Sequence, residues 1–458
     1  MENAQTPSLA VVILAAGKGT RMKSATPKVL HPVAGIPMLG HVIMAAQTLN
    51  PRHIVVVTGF GADDVEAYAT NAFPTAPLTF VRQEQQLGTG HAVMQTEPVL
   101  KGFDGTVLIF SGDSLLAGRP DVLPTMLETH RSKGLAVTVL SANVPDPKGY
   151  GRLFMENGHL RNVEDKDCTD EQKRVTTVNT AYYVVENSAL WALLPKVTNQ
   201  NAQKEYYLPD IIWLAHEAGL KTGMAEVPCV REEIGMNNRA EIAQMEALWQ
   251  QRKRTEMMMA GVTLVAPETV FFSADTQIAN DVTIHPHVVF GPGVVVESGV
   301  TVLPFCHLEG CTVRNDAKIG PYSRLRPGTD VGEAAHIGNF VELKNTQFGA
   351  RSNANHLSYV GDAKVGEDCN LGAVTVTANY NHFTKQKFAT QIGQHTSTGS
   401  LTVLVAPVKL GNEVYVGAGT AIRHDIPDAT LAVTKTETFM KHDYKAKVKD
   451  SAISKSKK

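Results

Sequence analysis

The chain has 458 residues, of which 43% are hydrophobic and 19% charged. That length predicts two or three domains, and that balance excludes a disordered or fibrous protein. A formal net charge of −2 gives no global field to recruit nucleic acid or an anionic membrane, and the Lys-rich stretch 441–458 reads as a solvated terminus. The five cysteines, Cys168, Cys229, Cys306, Cys311 and Cys369, form no Cys-x-x-Cys pair, which argues against zinc and redox motifs and for a reducing cytoplasm. No run approaches the length of a membrane span, and the opening residues lack the charged n-region of a secretory leader.

In chain order, the first element is the apolar run Leu9–Leu14, a buried parallel strand. It empties into Ala15-Ala16-Gly17-Lys18-Gly19-Thr20-Arg21-Met22, with Pro27-Lys28 following. Small residues there let backbone N–H groups approach a phosphate or a base, and Arg21 and Lys28 add positive charge. The loop is neither a Walker loop nor a dinucleotide fingerprint, which would need a third Gly where Met22 stands. Further strands are predicted at His53–Thr58, 78–81, Thr106–Ser111 and 136–140. Between them Met38, Val42, Ala45 and Leu49, and then Val122, Met126 and Leu127, recur at helical spacing. Strand–helix alternation predicts a Rossmann-like, doubly wound α/β domain over residues 1–236, with ligands at the carboxyl ends of the strands. Asp113 closes the strand ending Phe110-Ser111-Gly112 and so sits at that edge. The strong helix formers from Arg239 on, without Gly or Pro, predict a linker helix over 237–260.

From about residue 261 the rhythm changes to six and persists for over a hundred residues, which assigns a domain to 261–458 with the basic tail at its end. Val282, Val288, Val294 and Val300, then Ile319, Leu325, Val331, Ile337 and Leu343, stand six apart, and Gly follows many such positions. A short strand plus a tight turn, repeated, uses that period; a helix does not. This is the hexapeptide signature of a parallel β-helix. The repeat breaks near 346–358 and 379–391, which are expected to be loops that carry function.

Leu-x-x-Gly-x-Gly-Thr-Arg-Met with Pro27-Lys28 resembles the signature of sugar-phosphate nucleotidyltransferases. Further strings extend the likeness: Gln83-Glu84-Gln85-Gln86-Leu87-Gly88-Thr89-Gly90-His91, Gly149-Tyr150-Gly151-Arg152, Glu205-Tyr206-Tyr207 and Asn237-Asn238-Arg239. In the second half come Leu325-Arg326-Pro327-Gly328, Gly338-Asn339-Phe340-Val341-Glu342-Leu343-Lys344, His356-Leu357-Ser358-Tyr359 and Asn379-Tyr380. In this order and spacing they resemble the bifunctional N-acetylglucosamine-1-phosphate uridyltransferase and glucosamine-1-phosphate acetyltransferase family, over nearly the whole chain.

The resemblance implies a left-handed β-helix and two reactions. Glucosamine 1-phosphate is acetylated from acetyl-CoA, then uridylylated from UTP to UDP-N-acetylglucosamine, with release of pyrophosphate. On the uridylyl side it implies a site for UTP and the sugar nucleotide made of Leu14, Ala15, Ala16, Gly17, Lys28, Gln83, Gly88, Thr89, Ser111, Gly112, Asp113, Gly151, Glu164, Asn179 and Asn237. Within that site Lys28 and Arg21 neutralise the triphosphate, Gln83 and Gly88-Thr89 read the uracil, and Asp113 and Asn237 hold Mg2+, a hard cation suited to oxygen donors. On the acetyl side it implies His356 as general base, since the attacking amine must lose a proton near neutral pH. Arg326, Lys344, Tyr359 and Asn370 then hold glucosamine 1-phosphate, and Ala373, Asn379, Tyr380, Ser400, Ala418 and Lys435 hold acetyl-CoA. A homotrimer through the β-helix is implied as well. The chain departs from the family pattern at Ser111 (usually aromatic), Ser114-Leu115 (usually Val-Pro), Val374 (usually Gly), Leu401 (usually Asp) and Lys435 (usually Arg). Two other readings compete. One is a nucleotidyltransferase with a non-catalytic β-helix. The other is a non-enzymatic subunit of an exchange factor, against which Lys28, Asp113 and Asn237 argue.

Overall fold

A computed structural model describes residues 8–119, 121–228, 235–435, 437–445 and 447–448; Cys229 and most of the basic tail lie outside them. The chain divides into two compact units. One runs to Lys253 and takes back Phe272–Ala274; the other comprises Arg254–Phe271 and continues from Asp275.

The first unit is built on a nine-stranded sheet: β1 (Leu9–Leu14), β2 (His53–Thr58), β3 (Leu78–Arg82), β4 (Thr106–Ser111), β5 (Val137–Asn143), β6 (Arg152–Glu156), β7 (His159–Val163), β8 (Thr177–Glu186) and β9 (Thr222–Glu226). The order is β9-β5-β8-β4-β1-β2-β3, with the β6–β7 hairpin attached to β8. Alternation along β1 explains the double winding. Leu9, Val11 and Ile13 pack with α1 (Met38–Gln47) and α2 (Val122–Ser132) on one face. Ala10 and Val12 pack with α3 (Asn187–Leu193) and α4 (Asp210–Glu217) on the other. Strand β8, which apolar runs alone do not reveal, lies antiparallel between β4 and β5. Its register shifts between Asn179 and Tyr183, with Ala181 in the left-handed region at φ 62°. That bulge re-aims the strand's start, a common device beside functional sites. The helix expected as a linker is α5 (Arg239–Met259). Its first part is packed within the unit: Met245 joins Met22, Val33 and Met38 in a core, and the Glu246 carboxylate accepts from the Ala34 backbone N–H at 2.6 Å.

The second unit is a left-handed parallel β-helix in which three hexapeptides make one coil. Inward residues stack coil on coil in three ladders. One runs Ile284, Val302, Ile319, Ile337, Ala354, Leu371. A second runs Phe290, Leu308, Leu325, Leu343, Val360. The third runs Val296, Val313, Val331, Phe348, Val365, Ile392. All are buried. Of the residues at the period of six, Ile319, Leu325, Val331, Ile337 and Leu343 are themselves ladder members, whereas Val282, Val288, Val294 and Val300 form a further layer, each at 0% exposure as Ile284 is.

The expected loop at 346–358 does not exist. The coil continues in register through it, because small hydroxyl residues replace aliphatic ones at inward positions and bond the solenoid backbone. Thr346 Oγ1 donates to the Val360 carbonyl at 3.0 Å, and Ser352 Oγ to the Gly366 carbonyl at 2.8 Å. The interruption at 379–391 is real: Tyr380–Asn381 and Gln386–Lys387 form an extruded antiparallel hairpin. One corner of the coil places His287, Phe305, Tyr322, Phe340, Leu357, Val374, Leu401 and Gly419 in the left-handed region, with φ between 50° and 70°.

Candidate functional sites in the two units

The carboxyl ends of β1 and β4 open into a cleft of about 570 Å³. Of the residues expected on the uridylyl side, all except Gly112 and Asn237 line it, and Arg21 lines it too. Asn237 joins through bonds: Arg21 Nη2 donates to its Oδ1 at 2.8 Å and Lys28 Nζ to the same oxygen at 2.9 Å. Lys28 also pairs with Asp113 Oδ2, and the Ser111 hydroxyl donates to Asp113 Oδ1. Asp113 is buried, which by itself raises a carboxyl pKa, but the Lys28 charge and the Lys28 and Ser111 hydrogen bonds outweigh burial and hold it below the usual carboxylate range.

The two glycines of the opening loop do different work. A Cβ on Gly17 would meet nothing within 4 Å, so that position faces open space. Gly19 has φ 57°, and a Cβ there would stand 2.6 Å from Lys28 Cβ. Gly19 therefore clears the path by which Lys28 reaches the cleft. Gly151 has a similar role at the other end of the cleft, where its Cβ would meet Asn162 Oδ1 and Glu164 Oε1, each at 2.7 Å. Around it runs a polar chain. Asn162 Nδ2 donates to Glu164 Oε1 at 3.0 Å. Asn179 Nδ2 donates to Asn162 Oδ1 at 2.9 Å and to the Tyr183 hydroxyl oxygen at 2.7 Å. Burial pushes the Glu164 carboxyl above its ordinary value. Gln83, 3% exposed, donates from Nε2 to the Gly88 carbonyl at 3.1 Å and lies 3.0 Å from His91 Nδ1.

In the β-helix, two groups of expected residues come together. Val374 N–H donates to the His356 carbonyl, Leu401 N–H to that of Ala373, and Gly419 N–H to that of Ser400. His356, Ala373, Ser400 and Ala418 thus hold equivalent places in successive coils, one step before the left-handed corner. At about 4.8 Å per coil, the ladder from His356 to Ala418 is about 14 Å long. The second group is cationic. Arg326 and Lys344 lie one coil apart, and Arg326 Nη1 donates to Glu342 Oε1 at 2.8 Å. The Lys344 ammonium is held below its ordinary pKa, first by the Lys387 ammonium against it and then by Arg326. Asn379 Nδ2 donates to Asp362 Oδ2 at 2.6 Å and lies 3.5 Å from the Tyr359 hydroxyl. Tyr380 is exposed on the hairpin. Among the described residues, no hydrogen bond or ion pair joins the side chains of Asn370 or Lys435 to either group.

A family model for the MobA-like NTP transferase domain matches residues 11–175. A Zymomonas mobilis protein named "Bifunctional protein GlmU" is 44% identical over 429 residues, covering 93% of this chain and 94% of its own. Proteins of the same name from Sphingopyxis alaskensis and Bartonella quintana are 45% and 41% identical over 439 residues each. They cover 94% and 96% of this chain, and 94% and 96% of their own. The chain belongs to the GlmU family.

As a GlmU-family protein it is a multifunctional transferase with a nucleotidyltransferase unit. Among the described residues no helix is long and apolar enough to cross a membrane. Beside the expected residues, three stand in the sites that the motifs left unassigned. Lys387 completes the cation cluster; the extruded hairpin hides it, because a residue counted outside the six-residue rhythm has no face assigned to it. Asp362 ties Asn379 down, and its Asn-rich corner gives a sequence signal only once the coil register is known. Tyr207 lines the uridylyl cleft with a buried hydroxyl, and burial raises its pKa to about 12. The Glu205-Tyr206-Tyr207 string did mark that segment.

Proposed function

We propose that this chain makes UDP-N-acetylglucosamine in two steps: acetylation of glucosamine 1-phosphate in the β-helix, then uridylyl transfer in the Rossmann-like unit. The uridyltransferase is assigned to residues 1–236, the connecting helix to 237–260 and the acetyltransferase to 261–458. The single observation that carries the two-step reading is that one compact unit holds both the His356 ladder and the Arg326–Lys344–Lys387 cluster. A nucleotidyltransferase with an inert solenoid needs neither.

In the acetyl step, the three cations of the cluster hold the sugar's phosphate, Arg326 by its planar fork. Tyr359 and Asn370 hold the sugar ring. Acetyl-CoA runs extended along the corner past Ala373, Ser400 and Ala418, with Asn379, Tyr380 and Lys435 contributing. His356 takes the proton as the amine attacks the acetyl carbon, and the CoA thiolate leaves. In the uridylyl step, the sugar phosphate oxygen attacks the α-phosphorus of UTP and pyrophosphate leaves. Positioning and charge stabilisation dominate such a transfer. Arg21 and Lys28 face the phosphates. Gln83 has its amide N–H groups committed to Gly88 and His91, so its carbonyl oxygen is left to accept the N3–H of uracil, which cytosine lacks. Glu164 and Asn179 bond the sugar's hydroxyl and amide groups. Asp113 and Asn237 fit Mg2+, since a buried carboxylate and an amide carbonyl already converge on one cation; the ion supplies charge neutralisation on the transferring phosphoryl group. Four buried free thiols, Cys168, Cys306, Cys311 and Cys369, support a reducing cytoplasm. The exposed apolar corner from Phe305 to Leu401 supports self-association as a homotrimer.

The test supplies glucosamine 1-phosphate, acetyl-CoA, UTP and magnesium, and expects UDP-N-acetylglucosamine. Free CoA without a UDP-sugar, or UDP-sugar from pre-acetylated substrate alone, rules the two-step reading out. His356→Ala lowers acetyl transfer by roughly 10²–10⁴ and spares uridylyl transfer; Asp113→Ala does the reverse.

A further inference from the structure

Two cations and two proposed metal ligands meet at one point of the uridylyl cleft. Each Asp113 oxygen has a donor, Ser111 on Oδ1 and Lys28 on Oδ2. The amide oxygen of Asn237 also has two, Arg21 at 2.8 Å and Lys28 at 2.9 Å. Among the described residues, Lys28 Nζ is thus the one atom that bonds both Asp113 and Asn237, and it is well shielded, with 15% of its side chain exposed. Gly19 is required for it to arrive there, since a Cβ at that position would strike Lys28 Cβ.

A divalent cation binding to Asp113 and Asn237 has to take the oxygens that this ammonium holds. Two positive charges a few ångströms apart in a shielded cleft repel strongly, so the two do not share the position. The nucleotide changes that balance, because a triphosphate offers Lys28 several anionic oxygens at once. We propose that Lys28 is a stand-in cation: it holds Asp113 and Asn237 together and keeps a free divalent ion off them until the triphosphate draws it away, so that the metal enters with the nucleotide and not before it. This inference rests on the reading of Asp113 and Asn237 as the metal ligands. It assigns Lys28 two successive partners, the ligand oxygens first and the phosphates second.

The consequence runs against the usual effect of deleting a binding-site lysine. Removing Lys28 abolishes an aid to uridylyl transfer, yet frees the metal ligands. Mn2+ binding to the full chain without nucleotide, followed by the electron paramagnetic resonance of the free ion, is expected to tighten roughly tenfold in Lys28→Met, a change of about 1.4 kcal/mol. Lys28→Gln, which is smaller and polar, carries the same expectation if the Met variant loses the parent's circular dichroism. Lys18→Met separates occupancy from general charge. Lys18 belongs to the same loop, but its ammonium sits 5.9 Å over the Phe60 ring, away from the ligand oxygens, and its removal should leave Mn2+ binding within about twofold of the parent. Equal Mn2+ affinity in the parent and the Lys28 variants overturns the proposal, as does equal tightening in Lys18→Met. Asp113→Asn in the Lys28→Met background tests the reading beneath it: if that double variant binds Mn2+ as tightly as Lys28→Met alone, the metal-ligand assignment fails.

Discussion

Gly19 shows how one residue decides whether a loop is a cradle or only a turn. Its backbone has φ 57°, and the space where a Cβ would stand belongs to Lys28. Gly19→Ala therefore incurs left-handed strain and pushes the lysine off its path at once. A misplacement of about 1 Å costs on the order of 10²-fold in rate. The expected outcome is that much loss in uridylyl turnover with acetyl turnover unchanged, measured in the same preparation; retained uridylyl activity would mean that Lys28 reaches the cleft by another route. Asp210 makes a different residue-scale case. Burial, and then the Glu164 carboxylate, push its pKa up to about 6; Asp167 adds to this and Arg161 opposes it. A carboxyl raised above its unfolded value costs stability above the folded pKa and nothing below the unfolded one. Asp210→Asn should therefore raise the thermal midpoint near pH 8, and the gain should shrink as pH falls through about 6 toward 4. A gain that is the same at both ends counts against burial as the cause. Most of the residues expected on the uridylyl side line one cleft, and they were legible through the ordered strings of the resemblance, of which only Gly-x-Gly, Arg21 and Lys28 sit close together in the chain. The Glu205-Tyr206-Tyr207 string marks the segment of Tyr207 but not its role, and nothing in the sequence marks Asp210, because the character of both comes from burial.

At the scale of elements, the β-helix corner ties stability to the acetyl site. The carbonyls of His356, Ala373 and Ser400 accept from N–H groups of the left-handed residues one coil further on. Val374 is the costly member of that corner: a β-branched side chain at φ 61° crowds its own carbonyl. Relief of about 1–2 kcal/mol is set against about 0.5–1 kcal/mol of added chain entropy in the unfolded state. Val374→Gly should therefore be stabilising by up to about 1.5 kcal/mol, read as a higher denaturant midpoint at constant slope. A lower midpoint would show that the valine's packing outweighs its strain. The period of six made the solenoid legible from Val282 onward, since every coil repeats the same demand for inward aliphatic residues. It misread 346–358 because hydroxyls there do the work of methyls, with their polarity absorbed by backbone carbonyls. Strand β8 was missed for a related reason. Its core position depends on two antiparallel partners far away in the chain, and no local pattern encodes them.

At the scale of the whole molecule, each proposed site lies within one compact unit. The uridylyl cleft is lined only by residues of the first, and the His356 ladder and cation cluster belong to the second. Units with separate cores need not unfold together, so a single two-state transition is not expected. A ligand stabilises the unit it binds by about 2.7 kcal/mol at a hundred times its dissociation constant. UTP with magnesium should then raise one calorimetric transition and acetyl-CoA the other. Asp113→Ala should cancel the first shift alone, and Ala418→Asp, which sets a carboxylate on the corner beside a polyanionic ligand, the second alone. If both ligands move the same transition, or if either substitution cancels both shifts, the assignment of one reaction to each unit is wrong. That result would also remove the basis for treating Lys28 and His356 as independent stations, because a metal or nucleotide bound in one unit would then be felt by the general base of the other.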